Sequence, residues 1–328
     1  MIHAPKLIPE DLSPGDQRSA SADLGGIQFH LVESASDPLF LRAFTKLTEL
    51  FGPRHEMETL PVIRHRLGWN LSQPQPGKPL FHYAMILALD PQDQIAAVRD
   101  YTAIVHAPPE RAACTVHLSH LWIDPTHRRS GLAGWMRTFP VQTARTLLHR
   151  ARHALHAPIT LVGEMELPDQ QDEARMIRLI AYEKAGYRKV DPKVIPYFQP
   201  DFRDPAAIDA SGKHEFIPMT PILRRVGHEA EKAAPASEIR AMIRDLYAMY
   251  SDTFRPQDME PLWKNWRTYP DGETPIPLIP PTQTGSKLSI IPVRLPPLAT
   301  TPCPWRSFNS WPTAWPKWKE YASSVPSR

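Results

Sequence analysis

A mixed α/β fold is what the sequence predicts, and three observations predict it. Short runs rich in β-branched and aromatic residues recur along the first 228 residues, separated by Pro, Asp and Gly. Between them lie longer stretches with apolar residues at helical spacing. Their order reads strand, two helices, three strands, helix, strand, helix and two closing strands, so crossover helices flank the fourth and fifth strands.

Each element has its own reason. GIQFHLVES (26–34) is the first strand. DPLFLRAFTKLTELFG follows with Leu39, Phe40, Ala43, Leu47 and Leu50 on one helical face and stops at Gly52. A second helix includes METLPVIRHRLGW. Three strands come next, in PLFHYAMILALD, QIAAVRDYTAIVH and ACTVHLSHLWID. In the last of these, a period of two puts Val116, Leu118, His120 and Trp122 on one face and His117, Ser119, Leu121 and Ile123 on the other. The helix in GLAGWMRTFPVQTARTLLHRARHAL carries Pro140, which requires a kink or a restart. APITLVGEMELP reads as a strand with Ile159, Leu161, Gly163, Met165 and Leu167 on one face and Val162, Glu164 and Glu166 on the other. DQQDEARMIRLIAYEKAGY reads as a helix, and KVIPYFQPDF and HEFIPMTPILRRV as closing strands. EAEKAAPA (229–236) reads as a linker, after which Ser237 caps a helix with Ile239, Met242, Ile243, Leu246, Met249 and Tyr250 on one face.

The anomaly in composition is proline. The chain has 38 prolines against 14 glycines, and fifteen of those prolines, with six of the nine tryptophans, lie from Pro256 onward. Four segments follow: a polar, mobile leader over 1–23, the α/β domain over 24–228, a linker and packing helix over 229–255, and an extended Pro/Trp-rich tail over 256–328 that lays some tryptophans on the core or on another subunit. A net charge of +3 without blocks of like charge gives no nucleic-acid footprint. Cys114 and Cys303 are isolated from each other and from any Cys/His cluster, which argues against a disulfide framework or a metal site. No apolar run is long enough to span a membrane, and the N-terminal residues lack the apolar stretch of a secretory signal, so the expected compartment is the cytoplasm.

The sharpest local feature is IDPTHRRSGLAGWMRTF (123–139), a strand end running through a glycine turn into a helix. Such a turn offers backbone N–H groups without intrahelical partners, aided by the helix dipole, and so suits phosphate. The donors are the amides from Arg129 to Ala133, with Gly131 allowing close approach. An isolated turn of this kind also occurs in proteins that bind nothing there.

RRSGLA (128–133) resembles the Q/R-x-x-G-x-G/A signature of the GCN5-related N-acetyltransferase (GNAT) superfamily. AYEKAGYRKV (181–190) resembles its second signature, a helix ending in Tyr-x-x-x-Gly-Phe/Tyr. Both fall in the family's order of elements, and the resemblance covers about residues 24–228. It implies a mixed, mostly antiparallel sheet flanked by helices, with acetyl-CoA in the cleft where the fourth and fifth strands part. The pantetheine arm would pair near Leu121, Trp122 and Ile123, and the diphosphate would rest on Arg128, Arg129, Ser130, Gly131, Leu132 and Ala133.

The implied activity is direct N-acetyl transfer to a primary amine, small or peptidic. Tyr182 holds the family's tyrosine position and would protonate the leaving thiolate. His117 stands where members carry a catalytic glutamate or histidine; Glu164 or a water chain remain alternatives for the general base. Glu164 and Glu166 would contact a cationic amine or form a solvated face. Tyr197 and Gln199 read as edge-strand polarity, with cleft lining as the other choice. Arg175 departs from the family's frequent Asn, which puts the adenine-side and pantetheine contacts in question. Two further readings accompany this one: a catalytically silent acyl-CoA-binding module, and an interaction protein acting through its tail, with a homo-oligomer or a tail-bound protein as partner.

Overall fold

β1 (Gln28–Val32), β2 (Pro79–Leu89), β3 (Ile95–His106) and β4 (Cys114–Ile123) are successive antiparallel neighbours, with α1 (Phe40–Phe51) and α2 (Leu60–Gly68) in the connection from β1 to β2. This is a computed structural model that describes residues 4–54, 56–106, 112–154 and 156–283. β5 (Ile159–Met165) joins β4 in parallel, and the parallel step requires the crossover that α3 (Leu132–Thr138) and α4 (Pro140–Arg150) supply. Phe139 keeps helical dihedrals between them (φ −50°, ψ −36°), so the chain restarts its helix at Pro140, where the missing N–H costs nothing.

α5 (Glu173–Lys184), β6 (Arg188–Val190), β7 (Tyr197–Gln199), α6 (Pro205–Ser211) and β8 (Ile217–Arg225) complete the expected domain. β9 (Ala233–Pro235), α7 (Ala236–Ser251), α8 (Pro256–Arg267) and β10 (Pro275–Ile279) follow. The strand order is β1-β2-β3-β4-β5-β8-β6-β10-β9, with β7 on β8, and every described pairing except β4–β5 is antiparallel.

The sheet separates two apolar layers. One holds Val32, Met85, Val98, Ile104 and Val162 against α1, α2, α7 and α8; the other holds Ile86, Tyr101, Val116, Leu118 and Leu161 against α3, α4 and α5. Helix amphipathicity and the strand period of two produce this division directly.

Three expectations change. β6 and β9 are three-residue strands and α6 is a seven-residue helix, too short for a periodic signal. Proline density from residue 256 does not end regular structure. Pro256 sits at the first position of α8, Pro261 removes one ladder bond, and Trp263 and Trp266 pack on the core of the α7 side. Pro275 and Pro277 occur in β10, which lies between β6 and β9, and Ile276 and Leu278 point inward. Trp305, Trp311, Trp315, Trp318 and Cys303 lie outside the described residues.

The third change concerns the leader. Pro9–Asp11 and Pro14–Ser21 form short 3-10 segments that run as a strap over the α3 side of the sheet. Arg137 of α3 grips Asp16 with both ends of its guanidinium (Nε to Oδ2 3.1 Å, Nη2 to Oδ1 2.5 Å), and both side chains are about nine-tenths buried. Trp135 Nε1 donates to the Ser19 carbonyl at 3.0 Å, and Arg145 and Arg224 hold Asp11 through its carboxylate and carbonyl. Gly15 lies so close to the Lys184 carbonyl at the end of α5 that any Cβ would collide with it. The strap binds through partners more than 100 residues away, which no local pattern announces.

Asp16→Ala leaves Arg137 charged and buried without its acceptor. The expected loss is about 3 kcal/mol, read as a lower urea midpoint at unchanged m. The double variant Asp16→Leu with Arg137→Met should recover most of it; equal stability of Asp16→Ala and wild type would show that this ion pair contributes nothing to holding the strap.

Candidate functional site

The site is built around an irregularity in β4. Across from β4, Arg99 pairs with Leu121 and Tyr101 with Leu118, so Ser119 and His120 together face the single residue Asp100. This is a β-bulge. The side chains of β3 satisfy its backbone. Asp100 Oδ1 accepts from both the His120 amide and Nδ1, each at 2.9 Å, and Oδ2 accepts from Tyr83 Oη at 2.9 Å. On the opposite face Arg99 Nε donates to the His120 carbonyl at 3.4 Å.

The bulge reverses the alternation of the strand. Val116 and Leu118 face the α3 layer and His117 the α7 layer; beyond the bulge Leu121 and Ile123 face the α3 layer, while Trp122 packs on the α7 side. The two faces assigned from strict alternation therefore hold only up to Leu118. The sequence carries a trace of this, since Leu118-Ser-His-Leu121 puts two polar residues together in an otherwise alternating run.

Parallel pairing between β4 and β5 ends at His117 with Val162. Beyond that point the strands part, and residues Leu121–Ile123 keep pairing with β3 only. His117 sits at the fork on the α7 side, and its Nε2 donates to Glu164 Oε2 at 2.7 Å. Its Nδ1 faces the Ser119 hydroxyl at 3.3 Å. Glu164 also accepts from Tyr250 Oη of α7 at 2.5 Å and from Tyr197 Oη. Burial alone would push the Glu164 carboxyl up; the His117 imidazole and the two phenols outweigh it and hold it below the usual range.

Tyr182 approaches the fork from the other face. It is buried on α5, its hydroxyl accepts from Arg99 Nη2 at 2.9 Å, and its ring meets Tyr187 edge to face. The hydroxyl proton is left free to be given elsewhere.

Glu166 does not join Glu164. It is half-exposed and neutralised by Arg175 (3.1 Å) and Arg178 (3.2 Å) of α5. The expected pair of open carboxylates is thus absent: one is saturated by three donors and the other ion-paired. Tyr197 is buried with its hydroxyl on Glu164, so it is not plain edge polarity, and Gln199 reaches Tyr250 Oη at 3.5 Å. Sequence reasoning also missed Arg99, Asp100 and Tyr250, which looked like ordinary strand and helix positions.

At the glycine turn Arg129 (φ 67°) and Gly131 (φ 86°) adopt left-handed backbone, and Gly131 precedes α3 with no side-chain cap. A Cβ at Gly131 would lie 2.6 Å from the Ala22 Cβ of the strap, so the strap borders the turn. Between them is an open cavity of about 390 Å³ lined by Arg18, Ser19, Ala22, Asp23, Arg129, Ser130 and Gly131. Among the described residues no cluster of His, Cys, Asp or Glu could hold a metal ion, and no helix is long and apolar enough to cross a membrane.

Solved structures similar to this chain include an acetyltransferase of the GNAT family from Staphylococcus aureus (8% identity, TM-score 0.32, covering 60% of this chain and 99% of that one) and Arabidopsis thaliana NAA60 in complex with acetyl-CoA (12%, 0.35, 61% and 99%). A third is a phosphinothricin acetyltransferase from Sinorhizobium meliloti in complex with acetyl-CoA (11%, 0.30, 57% and 85%). No protein-family model and no curated protein matches the sequence.

The bulge has a pH signature. Burial by itself lowers the His120 imidazole, but the Asp100 carboxylate overrides it and pushes it up to about 9, while His120 holds Asp100 below the usual carboxylate range despite burial. A group raised in the folded state stabilises fully below its unfolded value, near 6.5, and loses that contribution as pH climbs through its folded value. The gap in melting temperature between wild type and His120→Gln should therefore narrow from about pH 6.5 to about pH 9. A gap that stays constant would remove the ion pair from the bulge.

Proposed function

We propose that this chain is an acyl-CoA-dependent N-acyltransferase of the GNAT type, moving an acetyl group to a primary amine by direct attack. One observation carries the reading: the fork between β4 and β5 has a His117–Glu164 pair on one face and Tyr182 on the other, with the glycine turn just beyond.

The residues divide the work by position. The strand edge at Leu121–Ile123, released from β5, offers main-chain groups for an amide-bearing arm. The turn from Arg128 to Ala133 suits phosphates through its backbone N–H groups, although the strap and not open space lies against the Cβ side of Gly131. Bound there, acetyl-CoA supplies the activated acyl group. Glu164 fixes the N–H of His117 on Nε2, which leaves Nδ1 as the basic atom, directed at Ser119. An amine proton passes to Nδ1 directly or through the Ser119 hydroxyl. Tyr182, anchored by Arg99, returns a proton to the leaving sulfur.

A second reading, a silent acyl-CoA-binding module, has its own support: Glu164 is saturated and Tyr250 covers it from α7. An interaction role for the tail falls on residues outside those described.

Turnover of acetyl-CoA against an amine panel separates the first two. His117→Gln and Tyr182→Phe should each lower turnover by on the order of a hundredfold while leaving acetyl-CoA affinity in calorimetry unchanged. Tight binding with no transfer to any amine would favour the silent module.

A further inference from the structure

The strap is a fixed wall of the cavity beside the turn. Its three-residue period buries Asp16 and Ser19 against α3, and Asp16, Ser19 and Asp11 are each held by groups from α3, α4 or β8. Arg18 immediately precedes Ser19 and lines the cavity from this wall; Arg129 lines it from the turn.

These arginines are unlike most in the chain. Arg137, Arg145, Arg175, Arg224, Arg225 and Arg255 all have carboxylate partners. Among the described residues the side chains of Arg18, Arg129 and the adjacent Arg128 have no acceptor. The one carboxylate lining the cavity, Asp23, has Oδ1 engaged by the Gly25 amide at 2.9 Å.

We propose that Arg18 is a phosphate-binding residue and that the cavity between strap and turn receives a phosphate group of acyl-CoA, with Arg18 on one side and Arg129 on the other. The inference rests on the reading of the turn as the acyl-CoA site. It adds a cation from a segment that precedes the first strand, so the strap becomes part of the binding machinery. Guanidinium groups suit this role because they stay charged and can meet two phosphate oxygens at once. The source is the diphosphate or the ribose 3′-phosphate, which share the same chemistry.

Calorimetry with CoA tests it. Arg18→Gln should raise Kd about tenfold, or about 1.4 kcal/mol, with an unchanged thermal melt because Arg18 has no protein partner to lose. Arg18→Lys should recover part of the affinity, and Asp23→Asn should tighten binding two- to threefold. With dephospho-CoA, a persisting Arg18→Gln defect identifies the diphosphate, and a vanished one identifies the 3′-phosphate. If Arg18→Gln binds CoA like wild type while Arg129→Gln is weakened, the role of Arg18 is overturned and the turn stands. If wild type fails to bind CoA at millimolar concentration, the acyl-CoA reading falls and the inference with it.

Discussion

One extra residue in β4 organises this molecule. A bulge needs substitutes for the ladder bonds it breaks, and here they come from two consecutive residues of β3 that point to opposite faces. Asp100 takes the His120 amide and Arg99 its carbonyl. Because the same two side chains reach on to Tyr83 and to Tyr182, the bulge is tied to both layers. An unsatisfied buried amide or carbonyl would cost about 1–3 kcal/mol, so both side chains are required for the strand to keep this shape. The consequence is geometric: pairing with β5 has ended at His117, and the bulge that follows keeps Leu121 and Ile123, like Val116 and Leu118 before it, in the α3 layer while β4 stays paired to β3 beside the fork.

The fork then brings together groups from distant parts of the chain. His117 and Glu164 belong to neighbouring strands and would meet in any parallel pair at this register. Tyr197 and Tyr250 arrive from β7 and α7, and the latter is positioned because Asp245 of α7 accepts from Thr115 Oγ1 at 2.6 Å and pairs with His106 at 2.9 Å. The helix beyond the α/β domain is thus a structural member of the site.

Much of the fold was legible because periodicity reports burial. The β2, β3 and β4 runs, α1, α5, α7 and the restart at Pro140 all follow from apolar spacing and backbone rules. The faces of His117 and Glu164 followed from the strand period and the glycine turn from its backbone, whereas the closure of Glu164 by His117, Tyr197 and Tyr250 did not. What escaped depends on long-range partners. The strap reads as polar and proline-punctuated, and only Arg137, Arg145 and Arg224 make its carboxylates and carbonyls part of the interior. In α8 the proline count misled, since a proline at the first helical position is favourable. The strict alternation assigned to β4 failed at Ser119–His120, where two adjacent polar residues were the only mark of the bulge.

The strap's anchoring also sets a timetable for synthesis. Asp11 and its partner Arg224 are 213 residues apart. At about 5–20 residues per second, the strap waits roughly 10–40 s after its own emergence before that partner is made. The Asp11 carbonyl is therefore engaged well after Arg137 and Arg145 have been made, and Glu164 likewise lacks Tyr250 until α7 has left the ribosome. A nascent chain halted before residue 224 would have Arg137 and Arg145 for the carboxylates of Asp16 and Asp11 but nothing on the Asp11 carbonyl, so the last tie of the strap waits for β8.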